Sequence, residues 1–371
     1  MNQKQAENAL REAIEKLDRF LPKYQDSFPD SQSEHGVYPA VKENRSWTTS
    51  FYPGMLWIAY EYTGNKQYLP MLETFTQNFI NRIEQKYCID THDLGFLYSL
   101  SCIADYKVTG NENAKQAAVS AADALLLRYK PKGKFLQAWG SIDDPDNYRL
   151  IIDCLMNLPL LYWATSVTGN ETYTEIACNH LESALRVLIR PDFSTYHTHY
   201  FDPETGEPTQ GTTFQGYSDD SCWARGQAWG IYGIALSYLY TKEEKLLPLY
   251  RGVADYFKAH LPQDNIPFWD MIFTDGDEQP RDTSAATIAA SGMLLMDSLC
   301  GADEDRECAE KILESLYEHY TTRALPDSDG LLTDGMYNRN AGHVPECTIF
   351  GDYYYMEALM RVARPDWKGY W

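Results

Sequence analysis

Apolar residues recur at helical spacing along most of the chain. In "MNQKQAENALREAIEKLDRFL", Ala9, Leu10, Ala13, Ile14, Leu17 and Phe20 fall on one face of a helix. The same periodicity predicts helices over 4–20, 52–63, 67–86, 95–108, 112–129, 149–167, 171–189, 223–240, 245–260, 283–299, 304–321 and 352–364, with few and short strand signals. The punctuation repeats as well. "YEYTGNKQY" (60–68), "DYKVTGNENA" (105–114) and "WATSVTGNETY" (163–173) each close an apolar stretch with Thr-Gly-Asn. Glycine just past a helix end accepts the left-handed conformation without a Cβ clash. "YLYTKEEK" (238–245) has the same setting without the glycine. Helices joined in pairs by such turns predict an all-α fold, an (α/α)6 barrel of six helical hairpins in one domain over residues 1–371. The unequal spacing of Gly64, Gly110 and Gly169 argues against a regular α-solenoid.

Small residues point to the inner ring of such a barrel. "RDTSAATIAASGMLLM" (281–296) and "WARGQAWGIYGIAL" (223–236), with Gly226, Gly230 and Gly233, suit helices that crowd together. Each glycine inside a helix costs up to about 1 kcal/mol relative to alanine, so three together imply close packing.

Polar residues set against this pattern are the candidates for chemistry. Asp153 lies in "RLIIDCLMNLPLLYWA" (149–164), within a helix expected to start near Asn147 or Arg149, and so too deep to cap it. A buried carboxylate is costly unless it is partnered or its pKa shifts. Asp153 is therefore either held by an arginine or backbone amides, or present for catalysis. Asp93, in "THDLGFLYSL", immediately precedes a helix, where aspartate is a standard N-cap as well as a catalytic candidate. His92 beside it is a candidate cationic partner.

The stretch from Ser194 to Ser221 reads as a long irregular loop, a common location for function, and carries His197, His199 and Gln215. It runs into "CWARGQAW", where Arg225 and Trp229 share a helix face. That pair could hold a carboxylate and a sugar face, or form a cation–π contact in the core. Trp47, Trp139 and Trp269 sit in polar contexts that suit sugar stacking.

Charge and motif content narrow the function classes. A net charge of −21 disfavours nucleic acid and anionic membranes as partners, and confines any anionic ligand to a local cationic pocket. The amino terminus has no secretory signal pattern, and no run approaches the length of a bilayer span. The eight cysteines show no CxxC spacing, so reduced thiols and a cytoplasmic location are expected. No phosphate-binding glycine loop, HExxH, GxSxG or Cys/His cluster occurs, and neither metal nor cofactor is expected.

Six ordered blocks resemble the unsaturated glucuronyl hydrolases of glycoside hydrolase family 88. They are "HDLGFLYSLS", "QAWG…RLIIDCLMNLPLLYWA", "STYHTHYFDPETG", "WARGQAWGIYG", "RDTSAATIAASGML" and "GDYYYMEAL", and the likeness runs from about Trp47 to Trp371. The resemblance implies an (α/α)6 barrel. It also implies hydration of the Δ4,5 double bond of an unsaturated glucuronic acid at the non-reducing end of lyase-generated oligosaccharides. Asp153 would be the acid and then the base, and Asp93 the essential second carboxylate. Trp47, His92, Trp139, His197, Gln215, Arg225 and Trp229 would line the sugar, with Arg225 supplying local positive charge. Phe214 stands where some relatives have histidine. The segment before "GDYYY" carries Arg339 and His343 but lacks the Ser/Lys cluster of relatives that prefer sulfated fragments. The expected partner is a small unsaturated disaccharide, bound by a monomer or homodimer. The alternatives are an unsaturated rhamnogalacturonyl hydrolase, a non-catalytic sugar-binding barrel and a sugar epimerase.

Overall fold

Two kinds of helix alternate along the chain in the computed structural model, which describes residues 1–371. One kind is apolar on most sides and buried over most of its length: α2 (Phe51–Thr63), α7 (Leu158–Thr168), α9 (Ala224–Thr241), α11 (Thr283–Cys300) and α13 (Ile349–Ala363). The short helices α4 (Leu94–Tyr98) and α5 (Ala104–Thr109), with a π-helical turn between them, act as one more. The other kind is amphipathic: α1 (Gln3–Phe20), α3 (Leu69–Glu84), α6 (Glu112–Leu126), α8 (Thr172–Leu188), α10 (Leu246–Ala259) and α12 (Asp303–Ser315).

This difference sorts them into two rings, because a helix with one apolar stripe needs only one packed face. α2 packs on α5 and α13, α4 on α7, α7 on α9, α9 on α11 and α11 on α13, which closes the inner ring. Each amphipathic helix covers it from outside: α1 on α13, α3 on α2, α6 on α4, α8 on α7, α10 on α9 and α12 on α11. The expected (α/α)6 barrel is the fold. Close packing in the ring is explicit at Gly233, where an added Cβ would lie 2.3 Å from that of Leu155.

The Thr-Gly-Asn turns close the inner helices α2, α5 and α7. Their glycines adopt φ of 68°, 79° and 74°. In each turn the asparagine N–H donates to the threonine hydroxyl, at 3.1–3.2 Å. The asparagine side chain then accepts an N–H from the next element. Lys242 makes the equivalent turn without glycine, at φ 55°.

These tight turns occupy one end of the barrel, so the long connections gather at the other, before the N-termini of the inner helices. Trp47 precedes α2, Asp93 precedes α4, Asp153 precedes α7 and Asp282 precedes α11, while Arg225 opens α9. The positive ends of the inner-helix dipoles therefore face that end, in a protein whose overall charge is strongly negative.

Three expectations are corrected. Residues 149–157 are not α-helical. Beyond the short pairs β1 (Phe28–Pro29) with β2 (Ala40–Val41) and β3 (Tyr129–Lys130) with β4 (Phe135–Leu136), Arg149–Ile151 forms β5. It is followed by a 3₁₀ turn over Ile152–Met156, and α7 begins only at Leu158, with Pro159 in its first turn. The apolar run satisfies strand and helix periodicity equally over so few residues.

The 194–221 stretch is not structureless. It contributes β6 (Thr198–Phe201) and β7 (Pro208–Thr212) to an antiparallel sheet of order β5-β6-β7, with Leu150 opposite His199. Lastly, α11 is long and apolar enough to cross a bilayer, with mean hydropathy 1.2 over 18 residues. Its residues are 83% buried inside the barrel, as an inner-ring helix requires.

Candidate active site

Asp153 and Asp93 are brought together by a backbone-to-backbone approach of their segments. The Asn157 side-chain carbonyl accepts the N–H of Phe96 at 3.0 Å, tying the start of α4 to the turn that carries Asp153. Asn157 also donates to the Asp153 backbone carbonyl at 3.4 Å. The approach is possible because residue 95 is glycine: a Cβ there would meet Asn157 Cα at 2.2 Å.

Asp93 occupies the N-cap position of α4 but does not cap it. Its carboxylate instead accepts the Thr91 hydroxyl at 2.8 Å and faces His92 Nε2 at 3.3 Å. His92 is not the cation expected, because burial lowers its pKa and the Asp93 charge only partly offsets this.

Asp153 is half-buried, and its Oδ1 is sealed from solvent with no hydrogen-bond partner. Burial pushes its carboxyl up to about 7; the neighbouring Asp93 charge adds to the rise and Arg225 opposes it. No arginine or backbone amide satisfies Oδ1. Oδ1 thus lacks the partner that a purely structural role would give it, and a perturbed carboxyl of this kind is a candidate for proton transfer.

His197, Gln215 and Arg225 form a second group. His197 is buried, and burial, with Arg225 nearby, lowers its pKa to about 3, so it is neutral. Its Nδ1 accepts the N–H groups of Phe214 and Gln215 at 3.0 and 3.3 Å. The ring proton therefore sits on Nε2, a sealed donor with no partner.

Arg225 is fully engaged. Nη1 donates to Asp282 and to the Met336 carbonyl, at 2.8 and 2.7 Å. Nη2 donates to Gln215 Oε1 and the Tyr337 carbonyl, both at 2.6 Å. It is not the free positive charge expected, since the buried Asp282 neutralises it at 2.8 Å. It holds the Gln215 side chain by its oxygen and fixes the 336–337 backbone.

The tryptophans divide. Trp47 is half-buried against Phe51, Phe96 and Phe350 and donates from Nε1 to the Tyr337 hydroxyl at 3.1 Å. Trp139 is half-buried beside Phe214, with ring centroids 5.3 Å apart. Both retain surface for stacking. Trp229 does not: it is fully buried between Phe96 and Tyr354, with its Nε1 unpaired, so it forms a wall behind the site. Trp269 is buried and bonded to Gln279.

Sequence reasoning missed Gly95, Asn157, Asp282 and Tyr337 as parts of the site. Asp282 also caps α11 by accepting Ser284 N–H, and that local role hides its second one. Tyr337 meets Trp47 across 290 residues of chain, so no local signal marks it.

Comparisons with known proteins converge. The model of Glycosyl Hydrolase Family 88 matches residues 20–364. An unsaturated chondroitin disaccharide hydrolase of Streptococcus pneumoniae is 43% identical over 98% of this chain and 93% of its own. The crystal structure of an unsaturated glucuronyl hydrolase from Bacillus sp. GL1, described as responsible for glycosaminoglycan degradation, superposes with a TM-score of 0.94. It is 39% identical and covers 98% of each chain. A variant of the Streptococcus agalactiae unsaturated glucuronyl hydrolase, solved with dGlcA-GalNAc6S, gives 0.89 at 39% identity, covering 100% of this chain and 94% of that one.

Proposed function

This chain belongs to glycosyl hydrolase family 88, and on that premise we propose that it hydrates the Δ4,5 double bond of an unsaturated glucuronic acid at the non-reducing end of glycosaminoglycan-type oligosaccharides. Residues 1–371 act as one catalytic domain. The observation that carries the reading is Asp153: a carboxyl held near neutrality by its surroundings, beside a second carboxylate and a neutral imidazole donor.

The groups suit an enol ether better than an acetal. A general acid acting near neutral pH needs a pKa close to 7, and Asp153 has one. It delivers its proton to C4, and the developing positive charge at C5 is shared with the ring oxygen. The resulting carboxylate takes a proton from water as that water adds to C5. The product is a hemiketal, which opens to a keto acid and releases the next sugar. His197, held at Nδ1 by the backbone N–H of Gln215, and the Gln215 side chain, held by Arg225, orient that water or the sugar hydroxyls. Asp93 raises the Asp153 pKa and accepts a substrate hydroxyl. Trp47 and Trp139 supply stacking faces. Because no displacement occurs at the anomeric carbon, the carboxylate spacing rule for retaining and inverting glycosidases does not apply.

The test is loss of the conjugated double-bond absorbance with unsaturated disaccharides from hyaluronan, chondroitin, heparin and rhamnogalacturonan. Loss on glucuronyl substrates is expected. Loss on the rhamnogalacturonan fragment alone would transfer the activity to pectin, and none on any would overturn the proposal. The pH profile adds a second check. The protonated acid is consumed above its pKa, so kcat/KM falls as pH rises through about 7. Asp93→Asn removes a contribution that raises the pKa, so in its residual activity this limb moves to lower pH. An unmoved limb would show that Asp93 does not tune Asp153.

A further inference from the structure

Six lysine and arginine side chains are buried: Lys16, Arg82, Arg128, Arg149, Arg225 and Arg361. Three face a carboxylate: Arg128 with Asp90, Arg225 with Asp282 and Arg361 with Glu357. Lys16 donates to two carbonyls and a hydroxyl. Arg82 is surrounded by acceptors from Asn44, Arg45, Ser46, Thr49 and Cys88. Arg149 stands apart. No carboxylate lies within ion-pair distance, and its only hydrogen bonds are long ones from Nη1, to the Asp146 carbonyl at 3.4 Å and the Tyr200 hydroxyl at 3.3 Å. Nε is sealed without an acceptor, and Nη2 makes no hydrogen bond.

A cation 6% exposed and without a counter-charge is costly. Aromatic rings offset part of that cost. The guanidinium lies 4.4 Å from the Trp139 ring centroid and 5.5 Å from those of Tyr200 and Phe214. A stacked guanidinium keeps its in-plane N–H edge available for an oxyanion. The surroundings belong to the site: Trp139 and Phe214 are in edge contact, and the Phe214 N–H is bound by His197.

We propose that Arg149, stacked on Trp139 and flanked by the Tyr200 hydroxyl, is a specificity-determining subsite for an anionic substituent, sulfate or carboxylate, of the bound saccharide. This rests on the reading above that the substrate is an acidic sugar. It also accounts for local positive charge in a site where Arg225 is already neutralised by Asp282.

Calorimetric titration in an Asp153→Asn background, which binds without turning over, tests it with unsaturated chondroitin disaccharides, unsulfated and sulfated. Arg149→Met is expected to weaken binding about 10-fold or more, the loss typical of a charge-assisted contact, with partial recovery in Arg149→Lys. A loss confined to sulfated disaccharides identifies sulfate as the group held. An equal loss on all identifies the uronate carboxylate that every one carries. Affinities within twofold of the parent throughout would overturn the proposal. So would equal losses in Arg149→Met and Arg149→Lys, because the residue would then only prop Trp139. If the parent binds no disaccharide, the functional reading fails first. Inorganic sulfate then tests Arg149 alone: it should raise the Tm above chloride at equal ionic strength in the wild type and not in Arg149→Met, and no difference would sink the subsite.

Discussion

Asp153→Asn is expected to lower turnover by at least about 10³-fold and to leave a folded protein that is more stable than the parent at pH 8. The first half follows from the proposed mechanism, in which Asp153 gives a proton and takes one back, which an amide cannot do. The second follows from linkage. The Asp153 carboxyl titrates near 7 in the folded protein, above its ordinary value of 3.8. The folded state therefore binds this proton more tightly than the unfolded chain. Its contribution to stability is fully present below the ordinary value and is lost as pH rises through 7. Above that, the folded state must hold an ionised carboxylate whose Oδ1 has no partner. Asparagine never ionises, so the variant escapes that cost, expected to be about 1–3 kcal/mol for a half-buried group. Thermal melts at pH 5 and pH 8, beside the absorbance assay, check both halves. Near wild-type turnover would sink the mechanism, and a lower Tm at pH 8 would show that Asp153 is structurally satisfied after all. Asp352, also pushed up to about 7 by burial, contributes the same pH trend in parent and variant and cancels between them.

Gly95→Ala is expected to damage stability and activity together. The new Cβ would lie 2.2 Å from Asn157 Cα, a backbone atom that cannot swing aside. Overpacking against backbone costs about 3 kcal/mol, or a Tm lowered by several degrees. The parting of the two segments also stretches the Phe96–Asn157 hydrogen bond and displaces Asp93 from Asp153. Misplacement by about 1 Å can cost on the order of 100-fold in rate. Gly64→Ala is the control. An added Cβ there meets nothing within 4 Å, and the residue carries only the strain of φ 68°, worth about 1–2 kcal/mol, at the end of the barrel away from the site. It should lower the Tm modestly and leave kcat/KM intact. Wild-type kcat/KM in Gly95→Ala would show that the carboxylate pair does not depend on this approach.

Several features of the protein were decided by local chemistry and were legible as such. Helical periodicity placed most of the helices, because apolar repeats at 3.6-residue spacing line one face of a helix, and small residues marked α9 and α11 for the inner ring. The Thr-Gly-Asn turns were readable because cap, left-handed glycine and next N-cap are all set within three residues. The family resemblance, not local chemistry, implied that Asp93 and Asp153 lie close together, and the Asp93 charge does act on Asp153.

Tertiary structure alone decided the rest. The run 149–157 became strand and 3₁₀ turn because β6 was there to pair with it. Arg225 lost its expected role as a free cation because Asp282, 57 residues away, arrived beside it. Trp229 became a wall because Phe96 and Tyr354 closed over it. Asp153 acquired its near-neutral pKa only when an apolar enclosure, and then the Asp93 charge, were assembled around it. Periodicity and capping act over a few residues and are written in the chain. Charge neutralisation, desolvation and the choice of a strand partner are properties of neighbours in space, which a sequence does not order by proximity.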